Sequence, residues 1–528
     1  MSWADAEVFA GAPATPGAVA LVGGGPGDPG LVGLRAAKLL TSATFVAFDR
    51  LSPPEVLALC GPDCERLYVG KLPDRHALAQ DEINRLLVRK AREGHAVVRF
   101  KGGDPFVFGR GSEEAQECAA SGVPFEVVPA VTSAIAAPAY AGIPVTHRGA
   151  SPAFAVVTGH EDPTKDELQV DWPALARFPG TLVLLMAVGR IGEIAAALLA
   201  AGKPPSTPVA LVRWGTTPRQ EVLTTTLADV GERVAETGFG SPAVTVVGDV
   251  AALRGELAWY ERRPLFGVSV LVPRTRRQAG ELSARLRALG AEPVEAPTIA
   301  IAPTREPERL AACLAAVGDG AYDWVAFTSA NGVEAVGEAL RATGADVRRF
   351  AGVGLAAVGP GTAAALADLG LRADLVPMPA TTRALADALL AAAEPGGTRK
   401  APAGDARAPR VLLPRADIAT PTLTESLRGA GWQTDEVEAY RTVEVRELDP
   451  TVRRRLESGE VDAAAFASSS TVRNFIALFG GPPPARTRVA SIGPVTSETC
   501  RELGVRVDAE ASPHDLDGLV AAVLEAVR

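Results

Sequence analysis

The sequence predicts an α/β protein made of two dissimilar halves, and three observations predict it. Short apolar runs alternate with helical repeats from Val19 onward, and several runs end in glycines or a lone acid. The second half repeats three of its segments in the same order, about 140 residues apart. The 528 residues leave room for three or four domains at a prior of ~150 residues each.

Val19–Gly23 reads as a strand, followed by a glycine-rich loop and a helix over Leu31–Ser42. Thr44–Phe48 is a second strand and ends at Asp49. Ile83, Leu86, Leu87 and Ala91 stand at helical spacing, which predicts a helix over Asp81–Glu93. Ala96–Phe100 reads as a buried strand and leads into Lys101-Gly-Gly-Asp104-Pro105. Gly102 and Gly103 allow close approach of a ligand or a positive φ. Pro105 biases Asp104 toward an extended conformation at the strand's carboxyl end, where open α/β sheets bind ligands. Helix Ser112–Ala120, strand Phe125–Val128 and the small-residue segment Ala130–Gly142 complete a first domain over residues 17–150. Alternating strand and helix imply a largely parallel sheet there. Strands Phe154–Thr158, Thr181–Met186, Val209–Val212 and Ala243–Val247 form a second domain over 151–260, with a linker over 261–266. Residues 1–16 read as a disordered arm.

The second half carries the duplication. Val270-Leu-Val-Pro-Arg274 is echoed by Val411-Leu-Leu-Pro-Arg415, and Trp324–Val333 by Ala464–Val472. Ala357-Val-Gly-Pro-Gly-Thr362 is echoed by Ser491-Ile-Gly-Pro-Val-Thr496. Each echo is a strand, a small or hydroxylated turn and a helix, so two similar α/β lobes are expected with a ligand cleft between them. Residues 395–409, rich in Pro, Gly and Ala, read as a flexible insertion.

A net charge of −9 argues against nonspecific nucleic-acid binding. No apolar run reaches eighteen residues, and the start of the chain lacks a secretory pattern, so no membrane association is expected. Five scattered cysteines fit a reducing, cytoplasmic setting. Cys60 and Cys64 make a lone C-x-x-x-C, which reads as ordinary thiols sooner than as a zinc site, and no metal is expected elsewhere.

Gly25-Pro-Gly-Asp-Pro-Gly30 satisfies the dinucleotide string G-x-G-x-x-G, with Asp49 about twenty residues on. Pro26 and Pro29 oppose that use, because they remove N–H groups from the loop that would cradle a pyrophosphate. Lys71 reads as a surface lysine, or as a proton donor if it stands beside Asp49 and Asp104. Thr132 and Ser133 read as a helix cap or as ligand contacts. Thr146-His147-Arg148 is a solvated loop or a cationic offer to an acidic substrate. Thr328, Ser329, Thr362, Ser468, Ser469 and Thr496 fall in turns before helices, where hydroxyls cap helices and also make anion sites. No P-loop, Ser-His-Asp order or metal-ligand cluster is present.

The strings GGGPGDPG, YVGK, VVRFKGGDPFVFGRG, AVTSAIAAPAYAGIPVTHR and VTGH closely resemble the uroporphyrinogen-III C-methyltransferases of the tetrapyrrole methylase family, from about Val19 to Arg254. GGGPGD stands where GAGPGD is usual and AVTSA where GITSA is usual, each a swap between similar residues. The resemblance implies a two-domain fold, a homodimer formed through this half, and S-adenosylmethionine bound between the domains, with S-adenosylhomocysteine as product. It places Pro26, Gly102, Gly103, Asp104, Val107, Thr132, Ser133, Met186 and Gly215 against the cofactor. Asp49 falls at the family's proton acceptor and Lys71 at its proton donor.

From about Phe266 onward the duplicated lobes, the SIGPVTS turn and Glu438-Ala-Tyr-Arg-Thr-Val443 resemble uroporphyrinogen-III synthase. That resemblance implies two lobes joined by a two-stranded ladder, one over 267–302 plus 443–528 and the other over 303–442. Tyr440 matches the family's active-site tyrosine. Together the halves imply a bifunctional enzyme of tetrapyrrole synthesis: hydroxymethylbilane is cyclised without a cofactor, and the product is methylated twice to precorrin-2, on the way to siroheme or cobalamin. The tetrapyrrole's carboxylates call for cations, for which Arg110, Arg148, Arg274 and Arg415 are candidates, with the turn hydroxyls Thr328, Ser329, Thr362, Ser468 and Thr496 as further substrate contacts. The alternatives are a methyltransferase whose synthase half is a degenerate binding module, and an NAD-linked oxidoreductase built on Gly25–Gly30.

Overall fold

The computed structural model describes residues 11–61, 63–70, 78–160, 170–273, 276–392, 408–418 and 420–528. The chain divides into two compact units, Met1–Val270 with Ala284–Pro293, and Leu271–Ser283 with Val294–Arg528.

The first unit begins with β1 (Val19–Gly23), β2 (Phe45–Phe48), β3 (Glu65–Tyr68), β4 (Val97–Lys101) and β5 (Phe125–Val128), ordered β3-β2-β4-β1-β5. All its pairings are parallel, as the strand–helix alternation predicts. Successive side chains of β1 and β4 point to opposite faces, and both faces are covered. Ala20, Val22, Val98 and Phe100 pack with Leu39 and Leu40 of the helix Leu34–Ser42. Val19, Leu21 and Val97 pack on the other side with Ile83, Leu86 and Leu87 of the helix Gln80–Arg92. Because β1 and β4 are neighbours at the centre, the loops that follow them meet.

A second sheet holds β6 (Phe154–Thr158), β7 (Thr181–Leu185), β8 (Pro208–Arg213), β9 (Glu221–Thr226) and β10 (Ala243–Val247), ordered β6-β7-β10-β8-β9. Only β6 and β7 run parallel; β10 is antiparallel to both its neighbours, and β9 to β8. The helix Ser133–Tyr140 lies against this sheet through Ala134 and Ala137, which pack with Leu185, Val212 and Val244.

Ten further strands follow: β11 (Ser269–Val272), β12 (Glu292–Glu295), β13 (Ile299–Pro303), β14 (Trp324–Phe327), β15 (Gly354–Ala357), β16 (Arg410–Ala416), β17 (Gln433–Glu444), β18 (Ala463–Phe466), β19 (Arg488–Ser491) and β20 (Ala509–Glu510). They form two sheets, β12-β11-β18-β19-β20 and β13-β17-β16-β14-β15. The sequence echoes take equivalent places: β12-β11-β18-β19 in one sheet matches β17-β16-β14-β15 in the other. The chain passes from one lobe to the other along β13 and returns along the end of β17, and these two segments pair antiparallel from Ile299 with Glu444 to Pro303 with Tyr440.

Several expectations need correction. The helix expected from Leu31 starts at Leu34, because Pro29–Leu31 closes a short 3-10 turn capped by Asp28. β9 was not anticipated: Glu221 and three threonines give an edge strand with little apolar signal. The arm expected over residues 1–16 packs over part of its described length. Ala14 is buried against the core that holds Leu39 and Leu40, its N–H donates to Ser42 Oγ at 2.8 Å, and Arg35 donates to the Ala12 carbonyl. The insertion expected over 395–409 lies almost wholly outside the described residues. Among the described residues no helix is long and apolar enough to cross a membrane.

Candidate functional site

The loops after β1, β2 and β4 form one wall of a cleft of about 640 Å³ in the first unit. Gly25 and Gly103 bridge the first and last of these loops: Gly103 N–H donates to the Gly25 carbonyl at 2.7 Å and Gly25 N–H to the Gly103 carbonyl at 3.3 Å. Asp104 is buried, and its carboxylate accepts the Phe106 N–H at 2.8 Å and the Ala130 N–H at 2.9 Å. It therefore pins the β4 loop to the segment after β5. The β2 loop sits directly on Gly102, where a Cβ would lie 2.6 Å from Leu51 Cβ.

The opposite wall comes from the second sheet and includes Met186, Trp214, Gly215 and Thr216. Gly215 meets the helix Ser133–Tyr140 so closely that a Cβ would stand 2.5 Å from Ala137 Cβ. The walls are tied through Asp28. Its N–H donates to Thr216 Oγ1 at 3.1 Å, and its carboxylate accepts from Tyr140 OH at 2.7 Å. Burial, with the Asp28 carboxylate beside it, holds the Tyr140 phenol well above its ordinary value. Phe108, Arg110, Met186, Trp214 and Thr216 are the described non-glycine residues with positive φ, and all except Arg110 line the cleft. Each such residue costs about 1–3 kcal/mol, and strain of this kind concentrates at ligand sites.

The structure brings all nine residues expected at the cofactor into this cleft: Pro26, Gly102, Gly103, Asp104, Val107, Thr132, Ser133, Met186 and Gly215. Three of the four amides of the Gly25–Gly30 loop are engaged within the protein and are not offered to a phosphate. Gly25 N–H goes to Gly103, Asp28 N–H to Thr216, Gly30 N–H to Asp28 Oδ1 and Leu31 N–H to the Asp28 carbonyl. That geometry removes the basis of the NAD alternative.

Asp49 stands at the end of β2, next to the wall residues Arg50, Leu51 and Ser52. Arg99 holds it, donating from NH2 to Asp49 Oδ2 at 3.3 Å and from NH1 to the Ala47 and Phe100 carbonyls. Arg99 Nε donates to Glu114 Oε1 at 2.9 Å; Lys101 Nζ donates to the same oxygen at 3.0 Å and Gln80 at 3.2 Å. The Glu114 side chain is fully buried, and its Oε2 has no partner. Burial and the neighbouring Arg99 pull the Lys101 amine below the ordinary lysine value, against the pull of Glu114. Lys71 lies outside the described residues.

In the second unit Tyr440 is buried at the carboxyl end of β16 and its neighbours, and its hydroxyl shares a 3.0 Å hydrogen bond with Ser329 Oγ. Ser329 caps the helix Ala330–Ala342 and accepts the Gly332 N–H at 3.1 Å. Thr328 precedes it at the end of β14, and Thr362 is buried in the first turn of the helix Pro360–Asp368. Ser468 caps the helix Ser469–Phe479 in a capping box with Thr471. Ser469 Oγ donates to the Val495 carbonyl at 3.2 Å, beside buried Thr496. Tyr440, Thr328, Ser329 and Thr362 thus belong to one lobe, and Ser468 and Thr496 to the other.

A family model described as Tetrapyrrole (Corrin/Porphyrin) Methylases matches residues 18–231, and one described as Uroporphyrinogen-III synthase HemD matches 280–521. The Porphyrin biosynthesis protein HemD of Ruminiclostridium josui is 37% identical over 510 residues, which cover 96% of this chain and 98% of that protein. The chain belongs to the family of tetrapyrrole methylases fused to uroporphyrinogen-III synthase. A Methanosarcina barkeri protein, S-adenosyl-L-methionine-dependent uroporphyrinogen III methyltransferase, is 50% identical over 237 residues, 45% of this chain and 93% of its own length. The crystal structure of Uroporphyrin-III C-methyl transferase from Thermus thermophilus complexed with S-adenyl homocysteine shares 43% identity, covers 45% of this chain and 99% of that one, and gives a TM-score of 0.39.

In this methylase–synthase fusion the proposed substrate arginines fare worse than the cofactor residues. Arg110 closes on Glu113 through two hydrogen bonds of 2.9 and 2.7 Å on the surface, and Arg148 is exposed; neither lines the cleft. Arg415 is buried inside its lobe, where NH1 meets Thr424 at 3.1 Å and Glu436 at 3.0 Å and NH2 meets the Thr420 carbonyl. Arg274 lies outside the described residues. The Arg99–Glu114 network was missed, although two cations on one face of an apolar strand, followed by Glu113-Glu114, are its visible trace. Cys60 is buried in the core with Cys64 packed against it, and burial pushes the Cys64 thiol up to about 11. Among the described residues no three metal-ligating side chains gather.

Glu438, two residues before Tyr440, accepts from Arg305 NH2 at 2.8 Å and from the Arg305 N–H at 2.7 Å. Those bonds hold its carboxyl down to about 2, from 4.5. A depressed carboxylate contributes stability above its unfolded value and loses it as pH falls through the folded one. Glu438→Gln is therefore expected to be less stable than the parent at neutral pH, with the gap narrowing as pH falls below 4.5. Urea unfolding across a pH series measures it; a gap independent of pH would sink the assignment.

Proposed function

We propose that the second unit cyclises hydroxymethylbilane to uroporphyrinogen III and that the cleft of the first unit methylates this product twice, to precorrin-2. The observation that carries the methylase half is the convergence of nine residues from distant parts of the chain on one strained cleft. A volume of about 640 Å³ suits a small-molecule ligand. Its wall joins apolar Val107 and Met186 to the hydroxyls of Thr132 and Ser133 and to glycine backbone, which fits S-adenosylmethionine. When bound, that cofactor supplies an electrophilic methyl group on a sulfonium leaving group. The chain's own part is to align the macrocycle's carbon with it and to take up the proton the macrocycle loses. Asp49 takes that proton, oriented by Arg99. In the synthase half Tyr440, steadied by Ser329, assists departure of the bilane hydroxyl as water, and the lobes fold the linear chain for closure. Substitution Tyr440→Phe is expected to slow cyclisation about tenfold or more while leaving methylation of supplied uroporphyrinogen III unchanged.

Precorrin-2 serves both siroheme and cobalamin synthesis, and the chain fits either use. Five free cysteines suit a reducing cytoplasm. Pairing of two copies through the first unit follows from the resemblance, and the mass of the purified chain in solution reads it. The deciding assay supplies purified protein with hydroxymethylbilane and S-adenosylmethionine and weighs the tetrapyrrole. A dimethylated product, with the type III isomer when the methyl donor is withheld, is the expected result. Type I isomer alone from the bilane would leave only the methylase.

A further inference from the structure

Uroporphyrinogen III carries eight carboxylates, so a cleft that receives it needs cations free to meet them. Two arginines of the wall are engaged with aromatic rings. Arg219 lies over Trp214 at 4.6 Å, and Arg263 over Trp259 at 4.8 Å and Tyr260 at 5.0 Å. Arg50 lines the same cleft, is exposed, and has no ion pair, side-chain hydrogen bond or ring partner among the described residues. The backbone that carries it is fixed. Asp49 Oδ1 accepts the Leu51 N–H at 3.2 Å, the Asp49 carbonyl accepts the Ser52 N–H at 3.2 Å, and Ser52 Oγ donates to the Phe100 carbonyl at 3.1 Å. This turn rests on Gly102, against which Leu51 leaves no room for a side chain. Wall carboxylates that would compete for the guanidinium are already engaged: Asp28 by Tyr140 and Gly30, Asp104 by two backbone amides, Glu55 by Arg287 at 3.8 Å and Glu292 by Ser269 Oγ at 3.0 Å.

We propose that Arg50 anchors a carboxylate of the tetrapyrrole in the methylase cleft. The proposal rests on the reading of that cleft as the uroporphyrinogen-III methylation site. Arg50 acts in binding, next to the acid that takes the proton, and S-adenosylmethionine does not depend on it.

The test uses Arg50→Gln and Arg50→Lys in the full chain. Methylation rates are measured with uroporphyrinogen III and S-adenosylmethionine varied in turn, and uroporphyrin III, the oxidised porphyrin that cannot be methylated, is titrated by fluorescence. One charge-assisted hydrogen bond lost to glutamine predicts a KM for uroporphyrinogen III about tenfold higher and uroporphyrin binding weaker by a similar factor. The kcat and the KM for S-adenosylmethionine should stay within about twofold, and lysine should restore part of the loss. An unchanged tetrapyrrole KM overturns the proposal. So does a rise confined to the KM for S-adenosylmethionine, which would assign Arg50 to the methionyl carboxylate. A parent chain that does not methylate uroporphyrinogen III overturns the reading of the cleft itself; porphyrin titration, which needs no turnover, then decides the role of Arg50 alone.

Discussion

Replacing Glu114 with alanine is expected to destabilise the first unit by about 3–5 kcal/mol, the usual result of removing one partner from a buried ion pair. Glu114 Oε1 is the shared acceptor for Arg99 Nε, Lys101 Nζ and Gln80 Nε2, and the carboxylate lies entirely out of water. Arg99 keeps Asp49 when Glu114 goes, but the buried Lys101 ammonium loses the ion pair that holds it in the sheet. A lysine whose folded value is depressed costs stability while the unfolded chain is protonated, and that cost fades as pH rises toward 10.5. The deficit of Glu114→Ala should therefore shrink on the alkaline side. Glu114→Gln keeps an acceptor at Oε1 and should lose less. Urea midpoints of the three proteins at neutral and alkaline pH measure this, and a neutral-pH loss below about 1 kcal/mol would show that the cluster is better hydrated than its burial implies.

Asp49→Asn is expected to lower the rate of methylation by about 10²–10⁴, the range attributed to a positioned proton acceptor. Asparagine is close to isosteric and the side chain is partly exposed, so the fold should persist. Asp49 is not part of the cleft wall, although its neighbours Arg50, Leu51 and Ser52 are. Binding of S-adenosylmethionine, measured by calorimetry, should therefore stay near the parent's. Cyclisation by the same polypeptide supplies an internal control and should not change. A methylation rate within threefold of the parent would remove Asp49 from the chemistry and leave it as an anchor for Arg99.

Much of the methylase cleft was legible because its chemistry is local in the chain. Gly102, Gly103 and Asp104 sit together after one apolar run, so the strand end marked a ligand loop, whereas Pro26 was set against the cofactor by the family resemblance. The strands Val19–Gly23, Phe125–Val128, Phe154–Thr158 and Ala243–Val247 were readable to the residue because each is a short apolar run with abrupt ends. Strain at Met186, Trp214 and Thr216 was not legible, since nothing in these residue types forecasts a positive φ; tertiary contacts impose it. The part each arginine plays was hidden for a similar reason. A guanidinium is as able to lock a fold as to meet a substrate, and only packing separates Arg415, closed on Thr424 and Glu436, from Arg50. The hydroxylated turns were correctly set at helix starts, but sequence order hid that Ser329 would meet Tyr440, more than a hundred positions away.

The two strands that carry the chain between synthase lobes set an order of events during synthesis on the ribosome. β11 and β12 leave the ribosome early, yet their sheet is completed by β18, β19 and β20, after the whole other lobe has been made. At a translation rate of about 5–20 residues per second, the open edge of β11 waits roughly 10–40 s for its partner. The methylase unit has emerged by then and can fold first. The unfinished lobe is the interval in which a nascent chain of this design is most exposed to wrong strand pairing, and a chaperone that shields one strand edge would be most useful then.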